Sequence, residues 1–532
     1  MVRYLRNGGL ALALIAAALT VQADDKHADD KGELGGVQHV LLISVDGLHA
    51  VDLSNYVQNH PGSALAELSQ HGVTYTNAST SSPSDSFPGL AALVTGGSPT
   101  TTGFWYDVTW NRAVAPQQTG NAIMGTMGGS CPGTVGAVVE LDEGVDTDLT
   151  QLDGGGGINP IYLPRDAKSC KPIYPHDYLR VNTIFEVVHS HGRRTAWTDK
   201  HPSYEWTNGP SGHGVDDFYG PEINSIPVAL PYPGCTPVPF ADPAPDDGWT
   251  TSFANIKCYD STHVQAVLNQ IDGYTHDHSK HVGVPAVFGT NFQAVSVGEK
   301  LSTDPVSGES GGYTDVLGTP GAGLSSELDF IDQSLGKMIN ELKSQGLYDS
   351  TLIIVGAKHG QSPIDVSKRR GIGGGQPAAL IGAAEAFDIS DDGSLIWLTD
   401  PSLAPSVVSL LSQPANQQTL GIQEIFAGNL LRDKFNSPTD DPRTPDIILK
   451  VNTGVIFTGG SKLSEHGGFN EDDVHTALLV SNPSLKASSV NSAVSNQQVA
   501  ATVVKALGYD PDELVAVKKE AIHVLPFLFG SD

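Results

Sequence analysis

Positively charged residues are scarce in this sequence. Its 532 residues contain 30 Lys and Arg against 59 Asp and Glu, which gives a formal net charge of −29 at pH 7. A surface of this sign repels polyanions, and proteins that bind nucleic acid without sequence preference need clustered basic residues. We therefore expect no nucleic-acid binding, whereas a small anionic substrate in a local pocket stays compatible with the charge.

Long apolar runs are missing beyond residue 20. Arg3 and Arg6 precede an apolar stretch over 8–20, and the small residues of a cleavage site follow it. The stretch is short for a membrane span. The sequence predicts a cleaved signal peptide over 1–23, a flexible leader over 24–36, no membrane span in the mature chain, and a periplasmic or extracellular location.

Cysteine is also sparse, and no CxxC or Cys/His spacing indicates a zinc cluster. In an exported chain, an even number of cysteines indicates disulfides. Four cysteines allow three pairings. We favour Cys131–Cys170 and Cys235–Cys258, because each pair lies inside one loop-rich segment.

Strands alternate with helices over much of the chain. Near-continuous apolar runs at 37–45 and 351–355 predict strands that are buried on both faces. Apolar residues at helical spacing predict a helix over 325–344. This alternation predicts an α/β fold with a mostly parallel central sheet and helices on both faces.

Two segments rich in Gly, Pro and Asp, 105–180 and 202–283, interrupt the alternation, and a further insertion spans 368–442. We interpret them as insertions into one catalytic domain over 37–528. The first two are expected to form loops over the site and to set substrate choice. Aromatic residues of this part of the chain are candidates for stacking on substrate or, alternatively, for packing: Trp105, Tyr106, Trp110 and Trp197.

Four polar residues follow predicted strands or lie at the start of a helix: Asp46, Ser86, His359 and His466. Each alone has an ordinary explanation as a turn or a helix cap, and either Ser84 or Ser86 could cap the helix before Gly96. Parallel strands bring their carboxyl ends to the same edge of a sheet, where α/β proteins place their ligands. The four residues therefore predict one site, with Asp and His as zinc ligands.

The motifs resemble those of the type I phosphodiesterase/nucleotide pyrophosphatase branch of the alkaline phosphatase superfamily. They read Val45-Asp46-Gly47, Ser86-Phe-Pro-Gly-Leu-Ala-Ala-Leu-Val-Thr-Gly96, His359-Gly360 and His466-Gly467. The resemblance implies an alkaline phosphatase-like three-layer sandwich with two zinc ions. It also implies a Ser or Thr nucleophile, whose phosphoryl- or nucleotidyl-enzyme intermediate is hydrolysed by a metal-activated water.

By this resemblance Asp46 and His359 are ligands of one ion, His466 is a ligand of the other, and Ser86 is the nucleophile. Lys358, however, stands where the family has Asp before His-Gly, and Asn291 and Val295 stand at its Asp-x-x-x-His. One zinc site thus loses an Asp, and the other loses an Asp and a His.

Three interpretations of this loss remain open. One divalent ion rather than two, zinc by the resemblance, is held by Asp46, His359 and either Asp107 or His466, and Lys358 replaces the second cation as a phosphate anchor. Alternatively, ligands come from the inserted segments: Asp199, His201, Glu205, His213, Asp216 and Asp217. In the third interpretation the chain is a catalytically inactive ligand-binding or scaffold protein on the same fold.

A sulfatase is disfavoured, because Leu90 stands where the formylglycine motif needs Arg. The sequence makes no prediction of oligomeric state. It predicts an exported hydrolase of phosphate esters, diesters or pyrophosphates rather than monoesters. In this hypothesis Ser86 is the covalent nucleophile, Lys358 assists catalysis, and Asp107 and Asn291 contact a small phosphorylated substrate.

Overall fold

The computed structural model describes residues 34–118, 128–129, 131, 133, 135–141, 145–146, 148, 150–236 and 248–530. The predicted signal peptide over 1–23 and leader residues 24–33 lie outside the described residues. In the described part of the chain, no helix has the length and apolar character needed to cross a membrane.

The strands, in chain order, are β1 (His39–Val45), β2 (Gly72–Tyr75), β3 (Ala78–Ser79), β4 (Val108–Asn111), β5 (Val114–Ala115), β6 (Ala137–Glu140), β7 (Arg165–Asp166), β8 (Ala196–Thr198), β9 (Asp217–Tyr219), β10 (Val287–Phe292), β11 (Thr351–Gly356), β12 (Arg370–Ile372), β13 (Glu385–Ser390), β14 (Gly393–Leu398), β15 (Ile422–Ala427), β16 (Ile447–Val451), β17 (Val455–Phe457), β18 (Leu478–Ser481), β19 (Ser488–Val490) and β20 (Val494–Ser495).

The α-helices are α1 (Ala50–Asn59), α2 (Ala64–Gln70), α3 (Ser86–Thr95), α4 (Pro99–Thr102), α5 (Pro175–Tyr178), α6 (Ile184–Ser190), α7 (Phe253–Ile271), α8 (Ala294–Lys300), α9 (Ala322–Ser344), α10 (Gln376–Ile381), α11 (Ala404–Leu411), α12 (Pro414–Leu420), α13 (Gly428–Lys434), α14 (Glu471–Val474), α15 (Gln497–Ala506) and α16 (Val515–Glu520). Short 3₁₀ turns lie at Pro202–Asn208, Tyr348–Ser350, Val366–Lys368, Gly382–Ala384, Pro401–Leu403 and Pro511–Glu513.

The central sheet has eight strands in the order β19-β2-β18-β11-β1-β10-β8-β9. β1 pairs in parallel with both β10 and β11, and β10 pairs in parallel with β8. Only β18 runs the other way, since it is antiparallel to both β11 and β2. The predicted mostly parallel sheet is therefore confirmed, and β1, β10, β11 and β8 all end at one edge.

Each face of this sheet is covered by helices, which makes the predicted three-layer sandwich. Successive residues of β1 point to opposite faces, as the period of a strand requires. Val40 and Leu42 belong to a core shared with α3, α6 and α15, whereas Leu41 and Ile43 belong to a second core shared with α7 and α9. Burial on both faces explains why the strand is apolar without alternation.

A smaller antiparallel sheet, in the order β13-β14-β16-β15, has a hydrophobic core of its own. Most of it comes from the segment 368–442 that was interpreted as an insertion. Its strand β16 follows that segment and is fully apolar but for Lys450, yet it pairs with β14 and β15 and not with the central sheet. An apolar run shows that a strand is buried, not which sheet buries it.

The segment 202–283 is less loop-like than predicted. Its 19-residue helix α7 packs against α9 and β10 with an apolar side in the second core. The polar residues scattered along α7 obscured its helical period, because several of them, including Asp260 and His263, are buried.

One predicted disulfide is present and one is not. Cys235 and Cys258 are bonded, with their Cα atoms 5.1 Å apart, so the bond joins a loop to α7. The predicted Cys131–Cys170 bond is wrong for this structure, in which both residues are free thiols. The Arg165 guanidinium donates a hydrogen bond to the Cys170 sulfur at 3.2 Å.

Candidate active site

Helix α3 places Ser86 at its first position, at the carboxyl edge of the central sheet. Asp85 caps the helix, because its Oδ2 accepts a hydrogen bond from the Phe87 backbone N–H at 3.2 Å. The expectation that Ser84 or Ser86 is the cap is therefore wrong. At the other end Gly96 adopts φ 74°, which a glycine can do without steric cost. Since Asp85 does the capping, the Ser86 hydroxyl is free for other contacts.

Two side chains contact that hydroxyl. The Ser86 Oγ lies 3.3 Å from Nε2 of His359, which follows β11. On its other side the Lys200 ammonium donates a hydrogen bond to Oγ at 3.0 Å from the end of β8. The His359 Nδ1 lies 3.0 Å from the Gly360 carbonyl oxygen, which can only accept, so Nδ1 carries a proton; in the neutral form of this imidazole, Nε2 presents its lone pair toward Ser86.

Asp46 lies beside this group at the end of β1 and is fully buried. Its Oδ2 accepts hydrogen bonds from the amides of Gln293, at 2.5 Å, and Asn291, at 3.3 Å. The same oxygen lies 3.5 Å from the His359 Nε2 and 3.6 Å from the Lys200 ammonium. Asn291 was predicted to contact substrate. In the structure it contacts Asp46, a predicted metal ligand.

Lys358 lies behind this surface and not on it. It is fully buried, with its ammonium 2.8 Å from the Asp199 Oδ1 and 4.2 Å from the centre of the Tyr204 ring. The Trp197 indole N–H donates to the other oxygen of Asp199 at 3.0 Å. Lys358 and Asp199 therefore form a buried ion pair that supports the loop carrying His359.

His466 and Asp107 reach the site from outside the central sheet. The His466 ring packs on His359 with 3.9 Å between ring centres, and its Nδ1 lies 3.4 Å from the Asp85 Oδ1. Asp107 and His466 line a cleft of 490 Å³ together with Lys200 and with residues of both Gly/Pro-rich segments and α8. A cleft of this size can hold a nucleotide-sized ligand.

The charges around Ser86 shift one another's pKa values. Burial raises the pKa of Asp46, but its interactions with Lys358, His359 and Lys200 outweigh it and hold that pKa well below its ordinary value. Burial lowers the pKa of Lys200, yet Asp46 and other carboxylates outweigh it and raise that pKa above its usual range. Lys200 is therefore an ammonium ion and Asp46 a carboxylate.

Burial is the largest influence on the pKa values of Lys358, Asp199 and His466. Burial lowers the pKa of Lys358, and the opposing effect of Asp199 and Asp46 is too small to cancel it. Burial also raises the pKa of Asp199 despite its contact with Lys358. Burial and the nearby His359 hold the pKa of His466 well below its ordinary value, so this imidazole is neutral.

The geometry of Asp46, His359 and Ser86 can be tested for a metal ion. Ligand atoms around one tetrahedral zinc ion, each about 2.0–2.2 Å from it, lie roughly 3.3–3.6 Å apart. The 3.3 and 3.5 Å separations meet that requirement, but the Lys200 nitrogen lies beside two of these atoms, 3.0 Å from the Ser86 Oγ and 3.6 Å from the Asp46 Oδ2. A protonated ammonium has no lone pair to donate and repels a dication. The residues at Ser86 therefore do not fit a divalent ion.

One other group has the spacing of metal ligands in the described ranges. His49, Asp52 and Glu299 are all buried and have ligand atoms within 4.8 Å of one another, whereas Asp46, His359 and His466 do not form such a group. The His49 Nδ1 lies 2.8 Å from the Tyr313 hydroxyl, which also donates to Glu299 at 2.7 Å. Burial lowers the pKa of His49, but Glu299 and Asp52 outweigh it, so the imidazole is held as a cation.

The alternative ligands from the inserted segments do not converge. Their partners are scattered: His201 pairs with Glu222, Glu205 with His176, Asp216 with Thr195, and Asp217 with Arg194 and His276, while His213 is exposed. Asp199 reaches the site through Lys358, and His201 lines the cleft beside it.

The candidate stacking aromatics are packing residues. Trp105 is fully buried and lies against Phe435, and the Tyr106 hydroxyl donates to Asp391 at 2.5 Å. Trp197 is fully buried above Asp199, and Trp110 is half-buried at the edge of a smaller core.

Lys200, Gln293 and Asp85 were missed by the sequence analysis. Lys200 follows β8 by two residues, so the rule that selected Asp46 at the end of β1 could have found it. The neighbours Asp199 and His201 were considered only as metal ligands, and a lysine is not one. Gln293 follows β10 in the same way, and Asp85 precedes Ser86 directly.

Comparisons with known proteins agree with this architecture. Murine ectonucleotide pyrophosphatase/phosphodiesterase 5 superposes with a TM-score of 0.53 at 14% identity, over 89% of this chain and 96% of that one. Wild-type alkaline phosphatase PafA superposes with a TM-score of 0.57 at 12% identity, also over 89% and 96%. At these identities the likeness shows the fold alone. The search of curated proteins gave no significant match.

The sequence itself matches a family model. The match covers residues 40–474, from β1 to the end of α14, and so includes every element that carries the site. The predicted resemblance is thereby confirmed: the chain belongs to the type I phosphodiesterase/nucleotide pyrophosphatase family and is a phosphoric ester hydrolase.

Proposed function

We propose that this protein hydrolyses phosphodiesters or nucleotide pyrophosphates through a covalent intermediate on Ser86. The observation that carries the proposal is the position of the Ser86 hydroxyl, at the first turn of α3 between the His359 Nε2 and the Lys200 ammonium. The N-terminus of a helix favours the negative charge of a phosphoryl group. A nucleophile, a proton acceptor and a cation thus meet at one point.

The reaction has two displacements. In the first, the Ser86 Oγ attacks phosphorus, the bond from phosphorus to the leaving oxygen breaks, and the serine proton passes to the His359 Nε2. The leaving group takes up this proton from the His359 Nε2 and departs as an alcohol or a phosphate. In the second, water attacks phosphorus and gives a proton to the His359 Nε2, the Ser86–phosphorus bond breaks, and that proton returns to the Ser86 oxygen.

The cleft beside Ser86 favours a substrate that is larger than phosphate. Lys200 and Gln293, which contact Ser86 and Asp46, line it together with Asp107 and His466. An inactive variant of murine ectonucleotide pyrophosphatase/phosphodiesterase 5 with the same fold is described in complex with AMP, at a TM-score of 0.52. A nucleoside phosphoryl group is accordingly the first substrate class to test, with Asp107 as a contact at the cleft wall.

Divalent metal assistance, which the resemblance implies, forms no step of this mechanism, because the Lys200 ammonium beside Ser86 repels a divalent ion. The second candidate function, a non-catalytic binding protein, draws on the loss of the family's Asp at Lys358 and Asn291. The contacts of Ser86 favour hydrolysis over it. We further propose export, since the Cys235–Cys258 disulfide fits an oxidising compartment.

The test is hydrolysis of bis(p-nitrophenyl) phosphate and of a dinucleotide pyrophosphate by the full-length protein. We expect Ser86→Ala to lower kcat by about 10³-fold or more, because the attacking atom is removed. The matched control is Ser81→Ala, which removes a buried hydroxyl five residues earlier that bonds the Pro83 carbonyl. Equal activity of Ser86→Ala and the wild type contradicts the nucleophile, and no hydrolysis of either substrate by the wild type supports the binding protein instead.

A further inference from the structure

Two lysines supply fixed positive charge in a site whose relatives are expected to use metal ions. The Lys200 ammonium lies 3.6 Å from the Asp46 Oδ2, and Lys358 lies in the buried layer behind it. Lys200 contacts the Ser86 Oγ at 3.0 Å, while Lys358 is held by Asp199 at 2.8 Å. The two ammonium groups differ in access, since the Lys200 side chain is 12% exposed and Lys358 is fully buried.

An ammonium at this place can act on a phosphoryl group directly. Lys200 has three N–H donors in tetrahedral array, of which one is given to Ser86 and another faces Asp46. The side chain lines the cleft, so the remaining donor is available to a non-bridging oxygen of a bound phosphoryl group. Such a donor strengthens as negative charge develops on that oxygen in the transition state.

Lys358 acts through other residues. Its ammonium neutralises Asp199 and lowers the negative potential at Asp46, and its backbone carbonyl accepts a hydrogen bond from Thr80. It does not line the cleft. The buried pair therefore holds the His359 loop and the charge of Asp46 in place, which makes Lys358 a positioning residue.

From these contacts we propose that Lys200 is a catalytic residue, that Lys200 and Lys358 together take the place of divalent ions, and that Ser86 reacts without a metal. The catalytic role of Lys200 rests on the proposed hydrolysis. The statement that the site holds no metal ion does not, because it follows from the side chains around Ser86 alone. The sequence predicted Lys358 as the residue that anchors the phosphate; in this proposal Lys200 does so.

The first experiment measures metal content and chelator resistance of the full-length protein. After dialysis against EDTA, the wild type is expected to contain far less than one divalent ion per chain and to keep its phosphodiesterase turnover. If chelation abolishes hydrolysis and zinc restores it, the inference is overturned and the hydrolase function stands. If no hydrolysis occurs at all, the proposed function is wrong. Independently of hydrolysis, the inference is overturned if the wild type holds one divalent ion tightly per chain and Asp46→Asn releases it.

The second experiment uses Lys200 variants. Lys200→Met should lower kcat by about 10²–10³-fold with a smaller change in KM, as loss of one donor to a developing oxyanion does. Lys200→Arg keeps the charge and should recover part of that loss. The matched control is Lys343→Met, which removes a lysine paired with Glu67 on the surface of α9. Lys200→Met activity equal to that of the control overturns the catalytic role.

Zinc binding by Lys200→Ala tests whether the ammonium keeps a divalent ion out of the site. Removal of the ammonium takes away the positive charge beside Asp46 and Ser86, so this variant should bind zinc more tightly than the wild type in a competition titration with a fluorescent chelator. Equal zinc affinity of the two proteins overturns the replacement of a metal by Lys200. Thermal melts of both proteins establish that the comparison is between folded chains.

Discussion

The two carboxylate oxygens of Asp85 face different groups, the Phe87 backbone and the His466 ring. Its Oδ2 caps α3, and its Oδ1 is buried without a hydrogen-bond partner in the structure, 3.4 Å from the His466 Nδ1. Burial raises the pKa of Asp85, and its interactions with His359 and Lys200 offset only part of that rise. The residue before the nucleophile thus connects the start of the helix with the imidazole that packs on His359.

Substitution of Asp85 tests this connection. We expect Asp85→Ala to lower the free energy of unfolding by about 0.5–2 kcal/mol, because the Phe87 N–H loses its partner. Urea denaturation measures the change. Asp85→Ser keeps a capping oxygen and should restore most of the stability. If alanine and serine destabilise equally, the cap is not the origin of the effect.

Helix α3 approaches the loop after β11 so closely that one of its positions admits only glycine. A Cβ atom on Gly89 would lie 2.0 Å from the Lys358 carbonyl oxygen and 2.7 Å from its carbon. Both are backbone atoms, which cannot rotate away. This contact fixes the distance between the element that carries Ser86 and the one that carries His359.

Gly89→Ala should therefore separate the two elements. We expect a loss of about 1–3 kcal/mol in the free energy of unfolding from overpacking, and about 10²-fold in kcat from displaced reacting groups. Gly336→Ala in α9 is the matched control, because its Cβ would meet nothing nearer than 3.8 Å, at Ala64. That change should stabilise by about 0.5–1 kcal/mol. Unchanged turnover in Gly89→Ala contradicts the close approach.

The prediction of secondary structure succeeded where one periodicity dominated. The run at 351–355 became β11, and the apolar spacing over 325–344 became α9. It was least accurate for α7, whose buried polar residues follow tertiary contacts and not a simple stripe. His263, for example, faces the core because its Nδ1 bonds the Asn291 carbonyl oxygen at 2.9 Å.

At the scale of the whole molecule, one covalent link ties an irregular segment to the central layers. The Cys235–Cys258 disulfide joins a loop to α7, which packs against β10 and α9 behind the site. The bond closes a loop with a sequence separation of 23 residues. The chain-entropy account of cross-links assigns such a loop a stabilisation of about 3 kcal/mol.

We expect Cys235→Ser/Cys258→Ser to lose about 3 kcal/mol in the free energy of unfolding, measured by urea denaturation under non-reducing conditions. The matched control is Cys131→Ser/Cys170→Ser, whose thiols are free in the structure. That pair should change stability by no more than about 0.5 kcal/mol, as for surface substitutions. A loss in the control as large as in the first variant would show that the second disulfide forms in solution.

The sequence by itself determined the layers of the fold and the neighbourhood of the site. Periodicity distinguishes buried strands from amphipathic helices, and the parallel arrangement of β1 and β11 brings Asp46 and His359 to one edge because both residues follow their strands directly. The match to the family's motifs added Ser86 and His466. These features depend on the periodicity and the motifs of neighbouring residues, which can be read directly from the sequence.

Which charges surround Ser86 depended on the three-dimensional arrangement of the chain. Lys200, Gln293 and Lys358 come from three different parts of the chain, and their effect depends on distances of 2.5–3.0 Å that no spacing in the sequence encodes. The sequence showed that metal ligands were lost at Asn291 and Lys358. That an ammonium group lies beside the Ser86 hydroxyl became visible only when β8 and α3 were brought together in space.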